Sequence, residues 1–276
     1  MPLSPNEVAF CLDPLTVLDC EAEETVRIAA ATGCRWLSLW VQSPGPDFPV
    51  RCLVEPGEMA AGVRRTLAEA GVRPLNLEVF DLTPQANVAA YRGALEMGAQ
   101  IGARCATAIL RGHTDPQLML AQFVALCQLA AEFDLRVNAE FISNQSLGSL
   151  AQAQELLARA SQPNAGIVID MLHLVRSGGT VEEVRQLDPS FIGHVQLCDG
   201  PATISPEARA IESRSNRMIP GEGDFPIRAF CEALPLLPLG LEVPSTSAAF
   251  QGLTPLERVR RLVQSTRRVM PRGAED

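Results

Sequence analysis

Eight times along the chain, a short apolar run gives way to a stretch with helical periodicity. No other feature limits the fold as strongly. The runs are EVAFCL, RWLSLWV, RPLNLEVF, RCATAIL, RVNAEFI, AGIVIDML, FIGHVQLCD and PLGLEVP. The intervening pattern predicts helices near Glu21–Thr32, Pro56–Ala70, Pro84–Met97, Asp115–Phe133, Leu147–Ala160, Thr180–Gln186, Pro226–Leu234 and Thr254–Val269. Thr180 and Glu183 have capping-box spacing, and Gly71 and Gly98 are expected just past helix ends. Strand–helix alternation implies parallel strands, because a parallel neighbour is reached only by a right-handed crossover.

Eight such units match a single closed (β/α)8 barrel of the α/β class, the TIM-barrel architecture. An open doubly wound sheet usually carries a glycine-rich first turn for a dinucleotide, and CLDPLTVLDCE has no glycine. With 276 residues and 47% hydrophobic content, the chain can fill one such core. We therefore expect one barrel over residues 1–270 and a short C-terminal tail over 271–276.

Composition removes several function classes. The net charge is -9 and no basic patch offsets it, which argues against nucleic acid as a partner. No apolar run reaches the roughly 18 residues of a membrane span, and MPLSPNEVAFCLDP lacks a charged leader, so a cytoplasmic protein without a membrane partner is expected. The eight cysteines include no C-x-x-C pair and read as reduced thiols. All 23 basic residues are arginine. Without lysine the chain cannot be a Schiff-base aldolase, a pyridoxal enzyme with an internal aldimine, or a Walker P-loop protein.

In a barrel of this type, chemistry sits at the C-terminal mouth of the strands. Polar residues late in the strands are therefore the candidates: Glu78, Glu140, Asp170 with His173 after it, His194 and Gln196 on one face, and Glu242. A carboxylate among aliphatics is costly to bury unpaired. Each could be an isolated strand-end group hydrogen-bonded to a helix N-terminus. Convergence on a divalent cation would explain them together, since the cation offsets their repulsion. Trp40 could wall an apolar side of the pocket, while Trp36 fits core packing. The long segment after the seventh run carries Arg209, Arg214 and Arg217, and its Gly-Glu-Gly fits tight turn chemistry. His113 fits either a mouth residue or a polar loop residue.

NAEF, IDMLH, HVQLCD and PGEGDFP before GLEVP, in that order and spacing, resemble the sugar phosphate isomerase/epimerase family of xylose isomerase-like TIM barrels. The resemblance implies a divalent metal held by one group from each of the last four strands: Glu140, Asp170, Gln196 and Glu242. It also implies acid–base roles for Glu140 and Glu242, and substrate contacts from His173 and Arg217. Relatives carry a histidine where this chain has Gln196. A glutamine oxygen can ligate a hard cation, and the resulting all-oxygen set suits Mn²⁺ or Mg²⁺ better than Zn²⁺. Alternatively, Gln196 meets substrate.

These residues lead us to expect a metal-dependent isomerase or epimerase acting beside a carbonyl of a keto-sugar, cyclitol or related polyhydroxy substrate. Glu78 and Trp40 join His173 and Arg217 as substrate contacts. A lyase of the 3-dehydroshikimate dehydratase type shares the first step and is the alternative. An endonuclease IV-like enzyme needs more than three histidines for its zinc cluster. A metal-free binding protein has only Gln196 in its favour. Homo-oligomers are common among relatives.

Overall fold

The computed structural model describes residues 9–43 and 51–270. Eight strands close into one parallel barrel in sequence order: β1 (Phe10–Leu12), β2 (Trp36–Trp40), β3 (Arg73–Leu82), β4 (Cys105–Leu110), β5 (Arg136–Glu140), β6 (Ala165–Asp170), β7 (Ile192–Leu197) and β8 (Leu239–Leu241). β8 returns to β1 through the pairs Phe10–Leu239 and Leu12–Leu241. The helices are α1 (Ala22–Thr32), α2 (Glu58–Ala70), α3 (Arg92–Ile101), α4 (Pro116–Ala131), α5 (Leu150–Ala160), α6 (Met171–Arg176), α7 (Val181–Gln186), α8 (Pro206–Ser215), α9 (Ile227–Ala233) and α10 (Pro255–Val269). Among the described residues, no helix is long and apolar enough to cross a membrane. The expected tail, 271–276, lies outside the described residues.

Period-two alternation decides which side chains face the helices. Leu37 and Leu39 of β2, Ala106 and Ala108 of β4, Val137 and Ala139 of β5, and Val195 and Leu197 of β7 join the main core with apolar faces of the helices. The opposite parity fills the barrel. Its lower layer is apolar, with Cys11, Trp36, Leu75 and Cys105 packed together. Trp36 opens β2, and its ring lies beneath Arg73 and Arg104.

The next layer is polar where such barrels usually carry branched aliphatics. It includes Asp13, Ser38, Asn76, Thr107, Asn138 and His194, all fully buried. Asn76 Nδ2 donates to Glu78 Oε1 at 2.7 Å and to Thr107 Oγ1 at 2.8 Å. Ser38 Oγ donates to Asp13, and His194 Nε2 lies 3.3 Å from Asp13 Oδ1.

Four local expectations are corrected. The helix placed over Pro84–Met97 starts later, as a 3-10 turn over Val88–Tyr91 leading into α3. α3 continues through Gly98 to its left-handed cap at Gly102 (φ 105°). Gly98 is a packing residue: a Cβ there would stand 2.2 Å from Leu77 Cδ1. The sixth apolar run is not strand throughout. β6 stops at Asp170, whose Oδ1 accepts the Leu172 amide at 2.7 Å and so caps α6. The segment after β7 is not all loop, because Ser205 caps α8 within it. The capping box at Thr180–Glu183 and the left-handed cap at Gly71 are as expected.

Candidate active site

Glu140, Asp170, Gln196 and Glu242 come from β5, β6, β7 and the first position after β8, and all four are buried. Each alternates with outward-facing aliphatics, so the ladder pairing Asp170 with Gln196 also turns them to the barrel interior. His173 follows Asp170 on the first turn of α6. Its Nε2 lies 3.8 Å from Glu140 Oε1 and 3.9 Å from Asp170 Oδ2. Ligand atoms from Glu140, Asp170 and His173 all lie within 4.8 Å of one another, close enough to share a cation.

Arg217 enters this group from beyond α8. Its Nη1 donates to Asp170 Oδ2 at 2.6 Å and reaches Glu242 Oε2 at 2.9 Å, while Nε donates to the Ser213 carbonyl at 3.0 Å. On its other oxygen, Glu242 accepts a hydrogen bond from Gln196 Nε2 at 2.9 Å. Gln196 Oε1 is buried with no partner.

Burial sets the protonation of the group. It raises the Glu140 carboxyl to about 8, helped by the charge of Asp170 and only partly opposed by Arg217. Burial also pushes Glu242 well above the carboxylate range against the pull of Arg217. Asp170 is equally buried, yet Arg217 and His173 hold it below its usual value. Burial lowers His173 to about 4, so its imidazole is neutral near pH 7. Glu78 is raised well above the carboxylate range by burial and by Glu242 and Asp13.

The group lines a cavity of about 590 Å³. Glu140, His173, Arg217 and Glu242 reach it from the β5–β8 half of the ring, and Leu15, Trp40, Val79 and Ile109 from the β1–β4 half. Glu78 and Arg111 also line the cavity from the β1–β4 half.

A xylose isomerase-like TIM barrel family model matches residues 26–268. The chain belongs to that family. A 3-dehydroshikimate dehydratase from Pseudomonas aeruginosa is 26% identical over 174 residues, which span 58% of this chain and 27% of that relative. The chain thus matches about a quarter of the relative's length. Among solved structures, the IolI protein with a bound zinc atom superposes with TM-score 0.72 at 16% identity, over 95% of this chain and 96% of that one. A 3-keto-D-glucoside 4-epimerase from E. coli gives 0.73 at 15% identity, over 95% and 100%.

Other residues singled out in the sequence have local duties. His113 Nε2 lies 2.7 Å from the Leu82 carbonyl, and the His113 amide donates to Ser146 Oγ at 2.7 Å, so it fastens a loop. Gly221 and Gly223 lie in a turn gathered by Asp199, whose carboxylate accepts the amides of Gly200, Gly221, Gly223 and Phe225. Arg214 lies on α8 and lines the cavity. Sequence reasoning missed Asp13. It is fully buried at the end of β1 and forms a second compact group with Glu78 and His194. It stands just before a proline, a setting ordinarily associated with turns, and so carries no signal of a site.

Proposed function

We propose that this chain is a metal-dependent enzyme that removes a proton beside the carbonyl of a polyhydroxylated substrate and expels a β-hydroxyl as water, a dehydratase of the 3-dehydroshikimate dehydratase class. The carrying observation is the convergence of Glu140, Asp170, Gln196 and Glu242 at the barrel mouth beside His173. Dehydration is preferred to isomerisation because the relatives matched by sequence include 3-dehydroshikimate dehydratases.

The donor set fits a hard divalent cation. The buried carboxylates of Glu140, Asp170 and Glu242, with a glutamine oxygen buried without a partner, offer an oxygen set that suits Mn²⁺ or Mg²⁺. When bound, such a cation polarises a substrate carbonyl and lowers the cost of negative charge on its oxygen. The protein's own groups handle the proton. Neutral His173 faces the cavity and accepts the proton from the carbon next to the carbonyl. The C–H electron pair becomes the new C=C bond, the β-hydroxyl leaves, and His173 returns the same proton to it as water. The apolar side chains of Trp40 and Ile109 in the lining suit the flatter, less polar product.

A second reading rests on Glu140 and Glu242. Both have raised proton affinity and stand on different strands, as expected if one takes a proton and the other returns it in epimerisation or aldose–ketose isomerisation. The test is incubation in D₂O with β-hydroxy cyclic ketones, ketoses and 3-keto-glycosides, followed by ultraviolet absorbance and NMR. A conjugated ultraviolet product supports dehydration. Deuterium wash-in without water loss supports epimerisation. Neither product, with metal supplied, overturns both.

A further inference from the structure

Arg217 stands among the groups assigned to the cation, and it is as buried as they are, with 3% of its surface exposed. Its position is fixed on several sides. Ser247 Oγ donates to its backbone carbonyl at 2.5 Å, its Nε is held by the Ser213 carbonyl, and Cys198 Sγ lies 3.9 Å from Nη1. A single nitrogen, Nη1, meets both Asp170 at 2.6 Å and Glu242 at 2.9 Å. Two acceptors at this site are left uncovered: Gln196 Oε1 has no partner, and the one ion-pair neighbour of Glu140 among the described residues is His173 at 3.8 Å. The guanidinium therefore neutralises half of the ligand set and leaves the other half open.

We propose that Arg217 is a resident counter-cation that competes with the divalent metal for Asp170 and Glu242. This rests on the metal reading above. A cation on those two carboxylates sits against a like charge already bonded to them, so each weakens the other's hold. Metal binding then loosens Arg217 from the carboxylates, and since its side chain lines the cavity, the freed donors become available to substrate oxygens. In the metal-free protein, the same arginine keeps two buried carboxylates from facing each other unpaired.

The competition is measurable without turnover. Metal-free wild type, Arg217→Gln and Arg217→Lys are titrated with Mn²⁺ by calorimetry and by the electron paramagnetic resonance signal of free Mn²⁺, with circular dichroism to verify folding. Arg217→Gln is expected to bind Mn²⁺ about tenfold or more tightly than wild type, the usual scale of coupling between sites. Arg217→Lys keeps the charge and is expected to stay near wild type. Metal-free Arg217→Gln is expected to melt below metal-free wild type and to gain more from Mn²⁺. A folded Arg217→Gln that binds Mn²⁺ no more tightly than a metal-binding wild type overturns the competition and leaves the metal reading standing. Absence of Mn²⁺ binding by wild type and both variants overturns the metal reading and the competition with it.

Discussion

Replacing Glu140 with glutamine removes a carboxylate that the barrel buries without an arginine bonded to it. Its proton affinity in the folded chain, about 8 against an ordinary 4.5, lets the size of the effect be worked out. The folded value is the higher one. Between pH 4.5 and 8 the native protein therefore holds a proton that the unfolded chain releases, and stability falls as pH rises through that window. Each pH unit inside it costs about 1.4 kcal/mol. Metal-free wild type thus carries a penalty of about 3 kcal/mol at pH 7, levelling near 5 kcal/mol above pH 8. Glu140→Gln removes this dependence. The variant should be more stable than metal-free wild type by about 3 kcal/mol at pH 7, or about 5 °C in melting temperature for a chain of this length. The gap should shrink towards pH 5. Urea unfolding of both proteins at pH 5, 7 and 9, in chelator, reads it directly. Saturating Mn²⁺ should narrow or reverse the gap, because on the proposed reading the variant has lost a ligand. A variant less stable than wild type at every pH, or a gap that ignores pH, would refute the reasoning.

Three further outcomes are expected. Gln196→His should tighten Zn²⁺ by about tenfold and shift preference from Mn²⁺, by replacing an oxygen donor with nitrogen; competitive metal titration checks this, and indifference at position 196 assigns Gln196 away from the metal. Gly98→Ala should cost about 1–3 kcal/mol in urea unfolding, with or without metal, because the new methyl meets fully buried Leu77. Asp199→Ala should strand four backbone amides, lower stability by about 2–4 kcal/mol and loosen the segment that delivers Arg217; amide hydrogen exchange should localise the change to residues 200–225.

How much of this was legible in the chain depends on what each residue needed. Glu140, Asp170 and Glu242 stand out because a carboxylate between outward-facing aliphatics on a parallel strand must point into the barrel, and period-two alternation is a local property. Their convergence follows from the closure of eight strands in order, which repetition alone implies. Arg217 could be named but not placed. Its segment reads as a polar loop because α8 is polar almost all round and shows no apolar stripe. Its bonds to Asp170 and Glu242 span 47 residues one way and a helix and a strand the other. Gly98 reads as a helix stop, although the space it leaves is filled by Leu77 of β3. The polar layer at Ser38, Asn76 and Thr107 escapes notice because each residue is an unremarkable single position in its own strand.

The two halves of the cavity bear on stereochemistry. The groups proposed to handle the proton come from β5, the first position after β8 and the first turn of α6, while Trp40 and Ile109 come from β2 and β4. A flat substrate laid against Trp40 and Ile109 would turn one face toward Glu140 and His173. Of two prochiral hydrogens on its reacting carbon, a single one would then lie within their reach. Handedness of the product would then follow from the circular order of the strands, and loop changes around the rim could alter which molecules enter without altering which hydrogen leaves.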